Sequence, residues 1–202
     1  MTVCQLYAKQ IRHRGNVRYN TKNGRKRLMK LLEEDKLGGC PIDSVKLSDA
    51  KEWAIRMKEK GISYKTISND KRSLKAAFYT AIQDDCIRKK PFDFQLNTVI
   101  EDDTEPKVPL TPAQEESFLS FAQNDKVYQK YYDELIILLG TGFRISELCG
   151  LTDTDINFEN RIINVDHQLL RSAETGYYIE TPKTKSGIRQ IPMSEKVYEA
   201  FN

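Results

Sequence analysis

The stretch GTGFRISELCGL, Gly140 to Leu151, follows the apolar run ELIILL and places Arg144 just behind a Thr-Gly turn. The pattern predicts a helix start there, with Arg144 in its first turn and Glu147 three residues later. The first amides of a helix are unpaired and partly positive, so anions bind readily. A guanidinium beside them adds a planar fork that can hold two oxygens of one phosphate, and it stays charged at any working pH. Glu147 lies one turn on along the same face, placed to orient the arginine. The chemistry these types can do is a phosphate clamp; the alternative is a plain surface pair of Arg144 with Glu147, which alone is worth little. Further on, YYIETP-KTKSG-IRQIP reads as a β-hairpin whose tip carries Lys183 and Lys185.

A second set of chemistry-bearing residues lies on one helix. Advancing about 100° per residue from Tyr64 to Ile82 gathers Ile67, Leu74, Ala77, Phe78 and Ala81 on one side. Lys65, Ser68, Asn69, Arg72, Lys75 and Ala76 gather on the other, with no carboxylate among them. Asp70 falls on the apolar side as the one misfit. A solvated face would interleave acids with the lysines; this one offers cations, hydroxyl and amide donors that suit phosphates, with Asn69 able to reach a base. Lys22, Arg25 and Lys26, with Lys30, form a second basic cluster able to hold another side of a duplex.

The elements that must position these groups follow from periodicity. TVCQLYAKQI, NTKNGRKRLMKLLEED, LSDAKEWAIRMKEKG and SYKTISNDKRSLKAAFYTAIQDDCI space apolar residues at three or four, with breaks at Gly15, Gly38–Pro41 and Gly61, and with Ser48 expected to cap the third helix. An acidic, turn-rich segment, IEDDTEPKVPL, reads as a linker. Thr111-Pro112-Ala113-Gln114 then has the form of a capping box. Two helices, PAQEESFLSFAQN and KYYDELIILLGT, lead to the Arg144 helix, after which the period changes to two in RIINVDHQ, YYIETPK and GIRQIPM. His167 is expected in a strand, and Tyr177 and Tyr178 are expected to pack along one.

Composition narrows the function classes. Charged residues make up 30% and hydrophobic ones 39% of the 202 residues, which describes a globular chain, and no apolar run reaches membrane-span length. A cytoplasmic protein is expected. Cys4, Cys40, Cys86 and Cys149 lie far apart, with only two histidines in the chain, so neither a metal site nor a cofactor is expected. The net charge of +3 hides an asymmetry: residues 1–100 hold 22 Lys+Arg against 11 Asp+Glu, and the remainder 10 against 18. The first half is suited to a polyanion.

The run LLGTGFRISELCGLTDTDINFENRIINV resembles the motif of the tyrosine recombinases, the phage integrase family, and ETPKTKSGIRQIPM resembles that family's lysine-bearing hairpin. Stretches such as DAKEWAIRM, AIQDDCIRKKPFDFQL and DHQLLR are most similar to integrases of conjugative transposons. The resemblance implies a mainly α protein: an all-α, SAM-like core-binding domain over 1–98, a linker over 99–110, and over 111–202 the N-terminal part of a mixed α+β catalytic domain with a small sheet. It assigns Arg144 to the scissile phosphate, Glu147 to the acidic supporting position, and Lys183, with Lys185 as alternative, to protonation of the leaving 5′ oxygen. It implies double-stranded DNA at attachment sites, other protomers in a tetrameric synapse and an accessory excision factor as partners. The family's HxxR pair and tyrosine nucleophile have no counterpart before Asn202. The expectation is therefore a fragment of a recombinase, or a DNA-binding remnant, that does not recombine DNA by itself.

Overall fold

The computed structural model describes residues 1–15 and 17–202. They form two units, Met1–Lys107 and Val108–Asn202.

The first unit is helical: α1 (Val3–His13), α2 (Tyr19–Glu33), α3 (Lys36–Gly39), α4 (Leu47–Glu59) and α5 (Tyr64–Gln83), followed by irregular chain with one 3-10 turn at Leu96–Thr98. Local chemistry sets the starts. Thr2 and Gln5 form a capping box on α1, and the Ser63 hydroxyl accepts from the Thr66 amide to start α5. Ser48 does not cap α4. The helix begins two residues earlier, at Leu47 with Lys46 as N-cap, because the Asp49 carboxylate reaches back to accept from the Lys46 N–H at 2.8 Å. The short α3 fills what reads as a Gly-rich break, nucleated by Asp35, which accepts from Leu37 N–H at 2.9 Å and from Nε and Nη2 of Arg56 at 2.8 Å each.

Ile67, Leu74, Ala77, Phe78 and Ala81 of α5 face the core as their spacing requires, joining Trp53 of α4 and Phe92. The Phe92 ring meets Trp53 edge-on at 5.9 Å and Phe78 at 5.3 Å. Burying each such ring contributes about 1.5–3 kcal/mol. Asp70 sits on this inward face because Arg27 of α2 reaches it, Nη2 donating to both carboxylate oxygens at 2.5 and 2.7 Å. Burial pushes the Asp70 carboxyl up, with the Arg27 guanidinium acting against it.

Gly38 is where α3 passes under α2. A Cβ there would lie 1.9 Å from the Leu32 carbonyl oxygen and 2.7 Å from Cys4 Sγ. Backbone cannot yield as a side chain does, so Gly38→Ala is expected to destabilise the helical unit by about 2–3 kcal/mol. A chemical-denaturation midpoint unchanged from wild type would contradict this.

The second unit opens with the expected Thr111–Gln114 capping box and Pro112 at the first helical position of α6 (Pro112–Asn124). After a 3-10 turn come α7 (Tyr132–Thr141) and the one-turn α8 (Ile145–Leu148), then β1 (Ile156–Asn157), β2 (Ile162–Val165), β3 (Gln168–Ser172), β4 (Gly176–Glu180), β5 (Arg189–Pro192) and α9 (Glu195–Phe201). Ile137, Phe143, Ile163, Val165, Met193 and Val197 make its core.

The strand pairing differs from the sequence expectation. RIINVDHQ is not one strand but β2 and the start of β3, interrupted at Asp166-His167, and YYIETP does not pair with IRQIP. All pairs are antiparallel: β4 pairs with β3, from Gln168–Glu180 to Ser172–Gly176, while β5 pairs with β2, from Ile162–Pro192 to Val165–Arg189. β1 completes the order β1-β2-β5. The turn that closes β3 on β4 is built locally: the Thr175 amide donates to Ser172 Oγ at 2.9 Å, and Gly176 takes a left-handed φ of 72°. That local closure wins over the longer loop KTKSG. Lys183 and Lys185 therefore lie on a segment connecting two separate sheets.

Candidate active site and nucleic-acid interface

Gly142 ends α7 in the left-handed conformation, φ 66°, and its N–H donates to the Leu138 carbonyl. The chain reverses and Arg144 becomes the N-cap of α8, in extended rather than helical conformation. With one turn of helix behind it, the axial dipole adds little; the charge at this site comes from side chains.

Glu147 organises them. Its side chain is 2% exposed. One carboxylate oxygen accepts from the Arg144 backbone N–H at 3.0 Å, the other from Arg144 Nη1 at 2.6 Å. Arg189 of β5 closes the opposite side, Nη2 donating at 2.9 Å and Nη1 at 3.3 Å. Burial by itself raises this carboxyl, but the hydrogen bond from Arg189, then the backbone and side-chain bonds from Arg144, outweigh it and hold it at about 2. The Arg144 side chain stays 70% exposed, against 29% for Arg189. One buried anion thus carries two cations, one turned to solvent and one turned inward.

Arg189 was absent from the sequence reading. Its signal was there: it shares an alternating register with the half-buried Ile191 and buried Met193, and a lone arginine on the inward face of a strand needs an acidic partner. Arg189 Nη1 also donates to the Gly187 carbonyl at 3.1 Å, which ties the cluster to the 3-10 turn Lys185–Gly187. Lys185 opens that turn and Lys183 precedes it; both are exposed, and neither ammonium group has a partner among the described residues.

His167 lies between β2 and β3 rather than in a strand. Its Nε2 meets the Gly150 carbonyl at 2.6 Å, and its Nδ1 faces Asp166. The Asp166 bond raises the imidazole above its ordinary value, with help from the Gly150 carbonyl and Asp155 against burial. Asp155, Asp166 and His167 come close enough to resemble a metal cluster. The Gly150 carbonyl can only accept, so Nε2 carries a proton, and the lone pair of a neutral ring lies on Nδ1, beside Asp166. His167 latches the chain after α8 to the strands.

On α5, Lys65, Asn69 and Arg72 are exposed and Ser68 half-buried, so these four share one outward face. Lys75 lies on it too, but its ammonium is paired with Asp93 at 2.5 Å. The acid-free stripe is therefore acid-free only along the helix; Asp93 arrives from the following loop. Lys71, off the stripe, donates to the Phe94 carbonyl and lies 4.5 Å from that residue's ring centroid. On α2, Lys22, Arg25, Lys26 and Lys30 line a groove of about 570 Å³ floored by Ile11 and Met29.

Residues 109–202 match the phage integrase family, the tyrosine recombinases, and over its whole length the chain is similar to transposon-encoded transposases and integrases. Among its relatives, the transposase of transposon Tn916 from Enterococcus faecalis is 66% identical over 201 residues, which cover all of this chain and 50% of that protein. The ICEBs1 integrase of Bacillus subtilis is 24% identical over 165 residues, covering 77% of this chain and 41% of that one. A structure of the Tn1549 transposon integrase in complex with a circular intermediate DNA superposes with a TM-score of 0.95 at 79% identity, over all of this chain and 64% of that one. A lambda integrase dimer bound to a core site shares the fold, with a TM-score of 0.58 at 15% identity over 89% of this chain and 58% of that one. The chain spans about half the length of the Tn916 transposase. No described helix is long and apolar enough to cross a membrane.

Proposed function

We propose that this chain supplies the DNA-binding and phosphate-gripping part of a site-specific recombinase that integrates and excises a mobile element in the cytoplasm. The observation that carries the reading is Arg144, an exposed guanidinium anchored through both side chain and backbone to a buried carboxylate. In this reading residues 1–98 are the core-binding domain, 99–110 the linker, and 111–202 the N-terminal part of the catalytic domain. Phosphodiester exchange gathers negative charge on the non-bridging oxygens, where Arg144 is preorganised to meet it, and on the leaving 5′ oxygen, where Lys183 or Lys185 gives a proton. Neither step calls for a cofactor. Other protomers bound to the same DNA, and an accessory excision factor, are the partners.

DNA binding rests on α5 and α2. Lys65, Ser68, Asn69 and Arg72 form its centre, Lys75 contributes after exchanging Asp93 for phosphate, and Lys22, Arg25 and Lys26 hold the flank. Replacing Lys65 and Arg72 together with alanine is expected to reduce the slope of log K against log salt by about 2, one per lost phosphate contact. Fluorescence anisotropy with a duplex across a salt series measures it, and an unchanged slope would remove α5 from the interface.

A further inference from the structure

Glu147 poses an electrostatic problem for any anion-binding role of Arg144. A carboxylate 2.6 Å from a guanidinium cancels most of the charge that the guanidinium would offer a phosphate. A lone Arg144–Glu147 pair is well oriented but neutral. Arg189 changes the balance: with two guanidinium groups on one carboxylate, the cluster carries a net positive charge, and the exposed member is Arg144.

We propose that Arg189 is the positioning residue of this site, neutralising Glu147 so that the carboxylate fixes Arg144 in place without cancelling its charge toward phosphate. The inference rests on the reading of Arg144 as the phosphate-gripping group. The groups around Glu147 are accounted for. Arg144 comes from its own turn and Arg189 from β5; β3, which also packs on α8, brings Gln168, hydrogen-bonded to Ser146, and Arg171, whose guanidinium lies over the Tyr177 ring. Arg189 also holds Gly187, so the residue that balances the acid fixes the turn opened by Lys185.

The test uses the whole chain and sulfate, which stays a dianion from neutral pH down to about pH 4, read by NMR at the Arg144 guanidinium resonance. Wild type should bind with an affinity that is flat across this range, because Glu147 remains ionised throughout it. Arg189→Gln should bind about tenfold more weakly at neutral pH, the effect of removing one nearby charge. Its affinity should then recover on acidification, as Glu147, freed from Arg189, protonates and releases Arg144. Two further variants separate charge from folding. Arg189→Lys keeps the charge and should bind nearly as wild type at neutral pH, and the double variant Arg189→Gln with Glu147→Gln should regain most of the lost affinity. A weakened Arg189→Gln that recovers neither with acid nor in the double variant would overturn the inference, as would a tenfold loss in Arg189→Lys. A wild-type Arg144 resonance indifferent to sulfate would overturn the phosphate-gripping reading itself, and this inference with it.

Discussion

Glu147→Ala is expected to lower the stability of the second unit by about 3 kcal/mol, the low end of the cost of breaking a buried ion pair, because Arg144 and, in part, Arg189 can rehydrate. For a unit of this size that corresponds to a fall of about 12 °C or more in its thermal midpoint. The amide resonances of residues 108–202 report it separately from those of the helical unit. The same group sets an acid limb. Its folded carboxyl titrates at about 2 against an ordinary 4.5. A depressed carboxyl contributes stability that is complete above the unfolded value and is lost as pH falls from about 4.5 toward 2, about 3 kcal/mol in all. Wild type should therefore lose stability across that window and Glu147→Ala should not. A variant with a wild-type midpoint and the same acid limb would show that the cluster contributes nothing to folding.

Arg144→Ala should behave in the opposite way. Its side chain is 70% exposed, and Glu147 keeps Arg189 as a partner, so the stability of the unit should stay within about 1 kcal/mol of wild type. The chemistry should not survive so well. Loss of one preorganised donor to a developing oxyanion costs about 100- to 1,000-fold in rate. In the recombinase expressed at the length of its relatives, formation of the covalent protein–DNA adduct on a nicked substrate should fall by that factor. Arg144→Lys should recover only part of it, because an ammonium cannot offer the bidentate fork. Adduct formation at the wild-type rate in Arg144→Ala would remove this residue from the reaction.

The contrast between these two variants reflects which parts of the structure were legible in the sequence. Patterns closed within one element were readable: the inward and outward faces of α5, the Thr111–Gln114 box, and Arg144 with Glu147 three residues away. Asp70 stood out as a misfit on an apolar face, and the reason, Arg27, lies on another helix. What stayed hidden depends on pairing across the chain. Alternation marks a strand but not its partner, so β4 and β5 could be expected to form a hairpin when each in fact joins another strand. Arg189 was missed for the same reason: only the pairing of β5 with β2 carries it to Glu147. Lys75 looked free because Asp93 is remote in sequence.

The connection between β4 and β5 has a consequence for how this region can vary. The tip of a hairpin has both ends in one ladder, so residues added or removed there leave the frame beneath undisturbed. Here the lysine-bearing stretch leaves one sheet at Glu180 and enters another at Arg189, a strap anchored at two separate moorings. Shortening it would drag one sheet toward the other, or pull Arg189 out of register with Val165 and away from Glu147. Strap length is thus a mechanical adjustment that sets the reach of Lys183 and the seating of Arg189 at the same time.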